Sequence, residues 1–326
     1  MKRNKVLILS TETDQSTNDV IDWLKVKKVD YIRLNDTDHI ILEKYELVNS
    51  KPRILLSVVN RGILIDSDEI VFFWYRRGVF RMKNKSFYDQ GKGSFATHFN
   101  RFVNDELDRL LFVVNNSIAN QKLGNYLNND INKIEVLEYA QNIGIAVPKT
   151  IITTKKEELI NFFHENNGDI ISKCISNSPQ IKLNEKSFYS LTAKVIKEDI
   201  EEEFFFPSLF QENINKHFEI RSFYLNNKFY SSAIFSQNNN KTTIDFRAYD
   251  RKKPNRVIPF ILPIKIKNQL RDLMVKLNLK TGSIDIIVSK DNCYYFLEVN
   301  PIGQFGQVSR PCNYYLEEAI ANYLTN

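Results

Sequence analysis

The sequence predicts a mixed fold, α/β at its start and α+β, with a large antiparallel sheet, towards its end. Two observations carry this prediction. In the first third, short apolar runs alternate with polar and helical segments at the spacing of a small α/β domain. From about residue 204, long strand-like runs follow one another with short turns between them, which is typical of antiparallel strands.

The first third contains four predicted strands and two predicted helices. Asp14 is placed to cap a helix that continues through Leu24. A longer helix is predicted over residues 95–114, because apolar residues recur there at helical spacing. The predicted strands cover residues 6–9, 31–34, 53–58 and 69–74.

A second unit is predicted to begin near residue 128. A helix over residues 133–142 is followed by Gly144, which suits a left-handed helix stop. A short helix over 157–163 and a strand over 169–175 come next. The later strands are predicted over 208–214, 218–225, 229–235, 282–289 and 294–299, with a helix over 265–277 between the third and the fourth.

Composition and charge exclude several classes of protein. The chain has 326 residues with a net charge of +6, which is too small to indicate nucleic-acid binding but suits anionic ligands such as nucleotides or acidic peptides. No apolar run approaches the ~20 residues of a membrane span, and the start lacks the apolar region of a signal peptide. Three widely spaced cysteines argue against a disulfide framework. We therefore expect a cytoplasmic protein with no nucleic-acid or membrane partner.

The most informative segment is a predicted hairpin with Asp291 and Asn292 at its turn. A symmetric hairpin places Asp285 directly opposite Glu298, with Asn300 on the same face. Directly paired carboxylates repel unless a cation lies between them or one is protonated. Because the donors are all oxygens, they favour Mg²⁺ over Zn²⁺. The alternative is an exposed hairpin whose charges point into water.

Four basic residues are candidate functional residues, and the two lysines among them are candidates for binding the phosphates that Mg²⁺ commonly accompanies. Lys133 begins a predicted helix, near its positive end, although a lysine there is more often a surface residue. Lys173 lies in an apolar strand, where an ammonium is costly unless its tip meets an anion. Arg221 and Arg247 each follow an acidic residue by two positions, which fits either a local ion pair or a functional site.

No arrangement of cysteine, histidine or serine predicts a nucleophile. The four histidines lie in predicted polar ends and loops, and no G-x-S-x-G, H-E-x-x-H or Walker sequence occurs. Glycine is scarce, at 10 residues, so a phosphate site cannot depend on a long glycine-rich loop.

Several motifs resemble the ATP-grasp ligases. The Gly-Ser-Ile-Asp sequence ending at Asp285 and the Phe-Leu-Glu-Val-Asn-Pro sequence containing Glu298 and Asn300 resemble the C-terminal half of that family, as does the earlier order of Lys133, Lys173 and Gln211-Glu-Asn-Ile214. More narrowly, residues 9–20, 74–78 and 300–305 resemble the ATP-grasp peptide maturases that make graspetides, the microviridin-like macrocyclic peptides. Their grasp-with-spasm subgroup is the most similar, and the likeness extends to nearly the whole chain.

The resemblance implies an ATP-grasp fold with ATP and Mg²⁺ as cofactors. We expect an N-terminal α/β pre-ATP-grasp domain over residues 1–125, a central lid over 126–205 and a C-terminal antiparallel-sheet domain with the Mg²⁺ site over 206–326. The implied Mg²⁺ ligands are Asp285, Glu298 and Asn300. The implied nucleotide site consists of Lys133 and Lys173 at the phosphates, Gln211, Glu212 and Ile214 at the adenine hinge, and Glu219 near the ribose.

The same resemblance implies a reaction in which Arg221 and Arg247 face the γ-phosphate and an acyl-phosphate. An Asp or Glu side chain of a ribosomal precursor peptide attacks ATP, and a Ser or Thr hydroxyl or a Lys amine then closes an ω-ester or ω-amide ring. The implied partner is that peptide, leader and core; a homodimer and a SPASM-domain protein encoded nearby are also compatible. The alternatives are a ligase that adds amino acids to a peptide or protein terminus, and a non-catalytic scaffold that binds ATP and peptide.

Two features fit the family pattern less simply. Many ATP-grasp enzymes carry a glycine-rich flap after the second lysine, whereas this chain reads Cys174-Ile-Ser-Asn-Ser-Pro-Gln180. An arginine pair, Arg76 and Arg77, follows an apolar strand. Such a pair usually lies on solvated surface, but the resemblance leads us to expect that one of the two pairs with a substrate carboxylate.

Overall fold

The computed structural model divides the chain into two compact units. The first consists of Met1–Asp130 together with Tyr315–Asn326, and the second of Ile131–Tyr314. The structure describes residues 4–48, 51–59, 61–83, 94–126, 131–176, 180–183, 186–189, 192–237 and 252–325. No helix in these ranges is both long and apolar enough to cross a membrane.

The first unit contains a parallel sheet and a mostly antiparallel one. The parallel sheet has the strand order β2-β1-β6-β8, and the second sheet the order β5-β4-β3-β7. The strands are β1 (Lys5–Ser10), β2 (Asp30–Asn35), β3 (His39–Val48), β4 (Lys51–Val58), β5 (Ile63–Asp66), β6 (Ile70–Tyr75), β7 (Arg81–Met82) and β8 (Gln121–Leu123). The helices are α1 (Gln15–Val26), α2 (Ser94–Ser117) and, after the second unit, α7 (Leu316–Tyr323).

Helix α1 begins where the sequence predicts. The carboxylate of Asp14 accepts a hydrogen bond of 2.8 Å from the backbone N–H of Thr17, which makes it the N-cap. Val20, Ile21 and Leu24 form the buried side of this helix. Helix α7 packs against α1, so residues distant in sequence complete the same layer.

The second unit begins with a four-stranded antiparallel sheet in the order β13-β10-β14-β9. Leu159 and Phe162 of a helix pack with Ile170 and Phe210 on one face of this sheet. The elements are α3 (Lys133–Asn142), β9 (Thr150–Lys155), α4 (Lys156–Glu165), β10 (Ile170–Lys173), β11 (Gln180–Leu183), β12 (Lys186–Tyr189), β13 (Ala193–Lys194) and β14 (Phe204–Glu212), with β11 and β12 pairing as a separate hairpin.

A five-stranded antiparallel sheet follows, in the order β17-β16-β15-β18-β19. Apolar side chains of α3 and of a second helix cover one face of it and form the main core of this unit. The elements are β15 (Lys216–Leu225), β16 (Lys228–Phe235), β17 (Arg256–Phe260), α5 (Ile264–Lys276), β18 (Thr281–Ser289), β19 (Tyr294–Asn300) and α6 (Gly306–Cys312).

The mixed α/β and α+β fold predicted from the sequence is confirmed. Each helix and strand named there has a counterpart, and the predicted helix over residues 133–142 has the predicted limits. Gly144 has the expected left-handed backbone, with a φ of +83°. Strands β3, β5, β7 and β8 of the first unit were not predicted.

Candidate active site

A cavity in the second unit brings together many of the side chains singled out in the sequence. The cavity is partly open to solvent, and the empty space between its walls is about 680 Å³ when that open part is included. Sheet residues from β10, β14, β15, β18 and β19 line it, so the site is built on regular strands. The predicted site residues among its walls are Lys173, Gln211, Glu212, Ile214, Glu219, Asp285 and Glu298.

One wall is formed by β10 and β14. Gln211 of β14 is paired with Ile171 of β10, and both side chains line the cavity together with Lys173 at the end of β10. The buried Gln211 amide donates a hydrogen bond of 2.8 Å from Nε2 to the hydroxyl of Thr150. This bond holds the amide in place on the wall.

Hydrogen bonds to two different neighbouring segments hold the end of β14 and the residue after it. Glu212 donates its backbone N–H to the carbonyl of Lys149 and accepts the Lys149 N–H through Oε1, at 3.0 and 2.8 Å. Asn213 bonds the backbone and the carboxylate of Asp169, at 3.0 and 3.1 Å. Ile214 follows and lines the cavity. The predicted adenine hinge is therefore a rigid edge, with the Glu212 side chain engaged in holding it.

The hairpin β18–β19 supplies the opposite wall, with the pairing that the sequence predicts. Asp285 lies opposite Glu298. The turn itself differs from the prediction: Ser289 bonds Cys293, so the loop has three residues, with Asn292 at a φ of +62°. A β-bulge between Asp285 and Ile286 restores the predicted partners further along.

The bulge decides where Glu298 points. Strict alternation from the buried Phe296 would turn Glu298 towards the core. Because the bulge adds one residue, Leu297 and Glu298 both line the cavity, and Val299 returns to the core beside Phe296. The carboxylate thus reaches the same space as Asp285.

Asp285 is held by a cross-strand ion pair. Arg221 of β15 lies directly opposite it, and Arg221 Nη1 is 3.0 Å from each carboxylate oxygen. Both side chains are about nine-tenths buried. The local pairing of Arg221 with Glu219, an alternative left open by the sequence, is therefore wrong for this arginine.

Glu298 forms a separate ion pair, with Lys133. Lys133, the first residue of α3, places its Nζ 3.2 Å from Glu298 Oε2. Asn300 is exposed, and its Oδ1 accepts a hydrogen bond of 3.1 Å from the N–H of Ile302. The chain then folds back so closely that a Cβ on Gly303 would lie 2.4 Å from Ser283.

Glu219 is an acid of the cavity whose pKa is strongly perturbed. Burial raises its pKa to about 7, although contact with the ammonium of Lys216 and a hydrogen bond from Ser236 act in the opposite direction. The nearby charge of Asp285 raises the pKa further. One carboxylate oxygen, Oε2, is buried and has no hydrogen-bond partner among the described residues. A buried acceptor of this kind suits a ligand that brings a donor or a cation.

The donor set fits Mg²⁺ in chemistry. Asp285 and Glu298 line the cavity and offer carboxylate oxygens, and Glu219, which also lines it, adds the unused acceptor Oε2. Asn300, at the end of the same strand as Glu298, offers an amide oxygen but is not among the residues that line the cavity. Within the described residues, no three carboxylate, histidine or cysteine side chains already converge as a metal site. Asp285 is paired with Arg221, and Glu298 with Lys133.

Other residues singled out in the sequence lie outside the described residues or in the first unit. Arg247 and part of the flap segment, residues 177–179, lie outside the described residues. Arg76 and Arg77 lie in the first unit and both contact Asp14, at 3.5 and 2.7 Å. Arg76 is buried, so a solvated position is wrong for it, and burial lowers the pKa of its guanidinium to about 10.

Sequence reasoning missed Lys216 and the apolar part of the cavity. Lys216 is buried and lines the cavity three residues before Glu219. The sequence could have indicated Lys216, because it is a lysine in a largely apolar strand, which is the pattern that singled out Lys173. Ile171 and Ile287 lie two residues from Lys173 and Asp285, so strand alternation places them on the same wall.

Several solved structures match this chain in fold. No protein-family model and no curated protein matches the sequence. The fold is similar to the RiPP-associated ATP-grasp ligase of Chryseobacterium gregarium, solved with ADP and a leader and core peptide, with a TM-score of 0.80, 24% identity, and coverage of 99% of this chain and 96% of that one.

Two further solved structures are similar. Macrocyclase MdnC of Microcystis aeruginosa, bound to its precursor peptide MdnA, has a TM-score of 0.75, 25% identity, and coverage of 99% of both chains. ATP-grasp ligase PsnB, solved with a minimal precursor, Mg and ADP, has a TM-score of 0.67, 16% identity, and coverage of 98% of this chain and 96% of that one. Over nearly its whole length, the chain therefore has the ATP-grasp fold of the peptide maturases, as its motifs predict.

Proposed function

We propose that the protein is an ATP-dependent, ADP-forming ligase that closes rings in a ribosomal precursor peptide. It activates Asp or Glu side chains of the peptide and joins them to Ser or Thr hydroxyls or to Lys amines. The observation that carries the proposal is the cavity in which Lys173, Glu219, Asp285 and Glu298 converge. Full-length similarity to ligases solved with precursor peptides and ADP supports the same substrates.

The nucleotide would bind between the two walls of the cavity. In this proposal Gln211, Glu212 and Ile214 contact the adenine, partly through their backbone, and Glu219 contacts the ribose. The firm anchoring of the segment after β14 supports a hinge role, since a positioned backbone costs little to order on binding.

Lys133 and Lys173 would bind the phosphates. Lys133 now balances Glu298 at 3.2 Å, and the pair is only partly exposed. A phosphate group that takes over Lys133 would release the Glu298 carboxylate for a metal ion. Asp285, Glu298 and Asn300 are the residues that would hold Mg²⁺, which when bound supplies positive charge beside the phosphates.

The chemistry needs two displacements. A peptide carboxylate oxygen bonds to the γ-phosphorus and the bond to the bridging oxygen breaks, which releases ADP and leaves an acyl-phosphate. A hydroxyl or amine of the same peptide then attacks the acyl carbon, loses its proton, and expels phosphate. Arg247 is assigned to the transferred phosphoryl group and Arg221 to the oxyanion of the second step. Holding both groups in one peptide makes that step effectively intramolecular.

The test uses the full-length protein, ATP, Mg²⁺ and the precursor peptide encoded next to it. We expect ADP release and the loss of one water from the peptide for each bond, with tandem mass spectrometry locating the bond. Glu298→Ala should lower turnover ~100-fold or more while the fold is kept. Asp291→Asn, in the exposed turn of the same hairpin, is the matched control and should retain activity.

Other results have distinct meanings. A peptide that gains mass indicates amino-acid addition, and ATP binding without ADP release indicates a scaffold. ADP that accumulates while the peptide loses no water means that ring closure is the wrong reaction. Near-normal turnover of Glu298→Ala would remove Glu298 from the proposed metal site.

A further inference from the structure

Two consecutive hydrogen bonds fix the side-chain amide of Gln211. Thr150 of β9 lies directly opposite Gln211 of β14, so the two side chains share one face of the sheet. Gln211 donates from Nε2 to Thr150 Oγ1 at 2.8 Å, and Thr150 donates from Oγ1 to the carbonyl oxygen of Pro148, also at 2.8 Å. This series, from Gln211 through Thr150 to Pro148, is here called the Thr150 relay.

The direction of the Thr150 relay follows from the hydrogen atoms that its members carry. A carbonyl oxygen can only accept, so the single hydroxyl hydrogen of Thr150 is used at Pro148. Thr150 Oγ1 then has only lone pairs left for Gln211, and the group that faces it must be the NH₂ of the amide. The reverse orientation of the amide would leave one hydroxyl hydrogen for two carbonyl oxygens.

The other end of the amide is left for the cavity. Gln211 lines the cavity and is only 1% exposed. With Nε2 turned towards Thr150, no residue in the described ranges donates a hydrogen bond to Gln211 Oε1. A buried carbonyl oxygen of this kind favours a ligand that brings an N–H donor and disfavours one that brings a second acceptor.

We propose that the Thr150 relay makes the cavity selective for a purine with an amino group at position 6, and that Thr150 is a positioning residue that acts through Gln211. The inference rests on the proposed function, in which Gln211 contacts the adenine. A 6-amino group brings an N–H to Gln211 Oε1, whereas the 6-oxo group of hypoxanthine or guanine sets one carbonyl oxygen against another. Because the relay keeps the amide from turning over, the site cannot adapt to the 6-oxo base.

Binding of ADP and of IDP to the full-length protein, measured by isothermal titration calorimetry with Mg²⁺, tests the proposal. The two nucleotides differ only in the base, at position 6 and in the hydrogen on ring nitrogen N1, and neither has a γ-phosphate to transfer. The wild type should bind ADP ~10-fold or more tightly than IDP, since IDP leaves a buried acceptor facing an acceptor.

Substitution of Thr150 should change this preference. Thr150→Val keeps the shape of the side chain and removes the hydroxyl, so that neither orientation of the amide has a partner there. The amide is then free to turn, and the two dissociation constants should come within about threefold of each other. Thr150→Ser keeps the hydroxyl and should retain the wild-type preference for ADP.

A second valine substitution is the matched control. Thr154 lies on the same strand, and its hydroxyl makes no hydrogen bond among the residues that the structure describes, so Thr154→Val should keep the wild-type preference. Thr150 is exposed, so all three variants should fold.

The remaining outcomes overturn the inference in distinguishable ways. Equal binding of ADP and IDP by the wild type would overturn the relay alone if the protein still closes rings with ATP. Weaker binding of both nucleotides by Thr150→Val at an unchanged ratio would show that Thr150 only supports the wall of the cavity. A wild type that binds neither nucleotide would overturn the relay together with the proposed function.

Discussion

Burial raises the proton affinity of Glu219 above that of an exposed glutamate. Its pKa of about 7 in the folded chain lies above the ordinary value of 4.5, since desolvation outweighs the attraction of Lys216. The folded protein therefore binds this proton more tightly than the unfolded chain. The stability that the proton contributes is fully present below about pH 4.5 and is lost as the pH rises through 7.

A comparison with Glu219→Gln isolates this effect. The free energy of unfolding of the wild type, minus that of the variant, should fall by about 3 kcal/mol between pH 4.5 and pH 7. Urea unfolding at several pH values measures the difference. The other titrating groups are common to both proteins and largely cancel. A difference that stays constant over this range would mean that Glu219 titrates normally.

At the scale of single elements, the start of α1 combines a helix cap with a charge anchor. Asp14 accepts the N–H of Thr17, and the same carboxylate contacts Arg76 and Arg77. Arg76 and Asp14 are both almost wholly buried, so removal of the carboxylate leaves a guanidinium without this counter-charge in the interior. The two functions of Asp14 are separable by substitution.

Asp14→Asn should keep the cap and lose the charge, with a cost of about 3 kcal/mol in the free energy of unfolding. Asp14→Ala should cost about 1 kcal/mol more, because the cap is lost too. Asp22→Asn, on the exposed side of the same helix, is the control and should change stability by less than about 0.5 kcal/mol. Urea unfolding measures all three, and an Asp14→Asn protein as stable as the control would refute the anchor.

Elements also show what the sequence can and cannot predict. The pairing of Asp285 with Glu298 was predicted from a two-residue turn. The observed loop has three residues, which shifts the register by one residue, and the β-bulge shifts it back by one, so the predicted pair is kept. Strand β3 was missed, since a bulge between Leu42 and Lys44 interrupts its alternation. Partners across strands, such as Arg221 with Asp285, depend on which strands become neighbours, and no local pattern records that.

At the scale of the whole molecule, the first unit is assembled from two separate stretches of chain. Helix α7, which follows the second unit in sequence, packs against α1, and Tyr323 contacts the ring of Phe72 edge-on at 5.4 Å. Leu316, Ile320 and Ala321 of α7 are buried. Residues 315–326 are therefore a structural part of the first unit.

Deletion of residues 315–326 should unfold the first unit selectively. Hydrogen exchange followed by mass spectrometry should show loss of amide protection in β1 and α1, and retention in β15 and β18, whose unit is a continuous stretch. Deletion of residues 325–326 alone is the control, since α7 remains. Full protection of β1 in the longer deletion would show that α7 is dispensable.

The discontinuous first unit has a consequence for synthesis on the ribosome. At ~5–20 residues per second, roughly 10–40 s pass between the emergence of residue 131 and that of residue 315. During this interval the second unit can complete its sheets, while α1 still exposes the apolar side that α7 will cover. The part of the chain that is translated first is thus the part that finishes folding last, and the nascent protein presents its N-terminal unit to chaperones throughout that time.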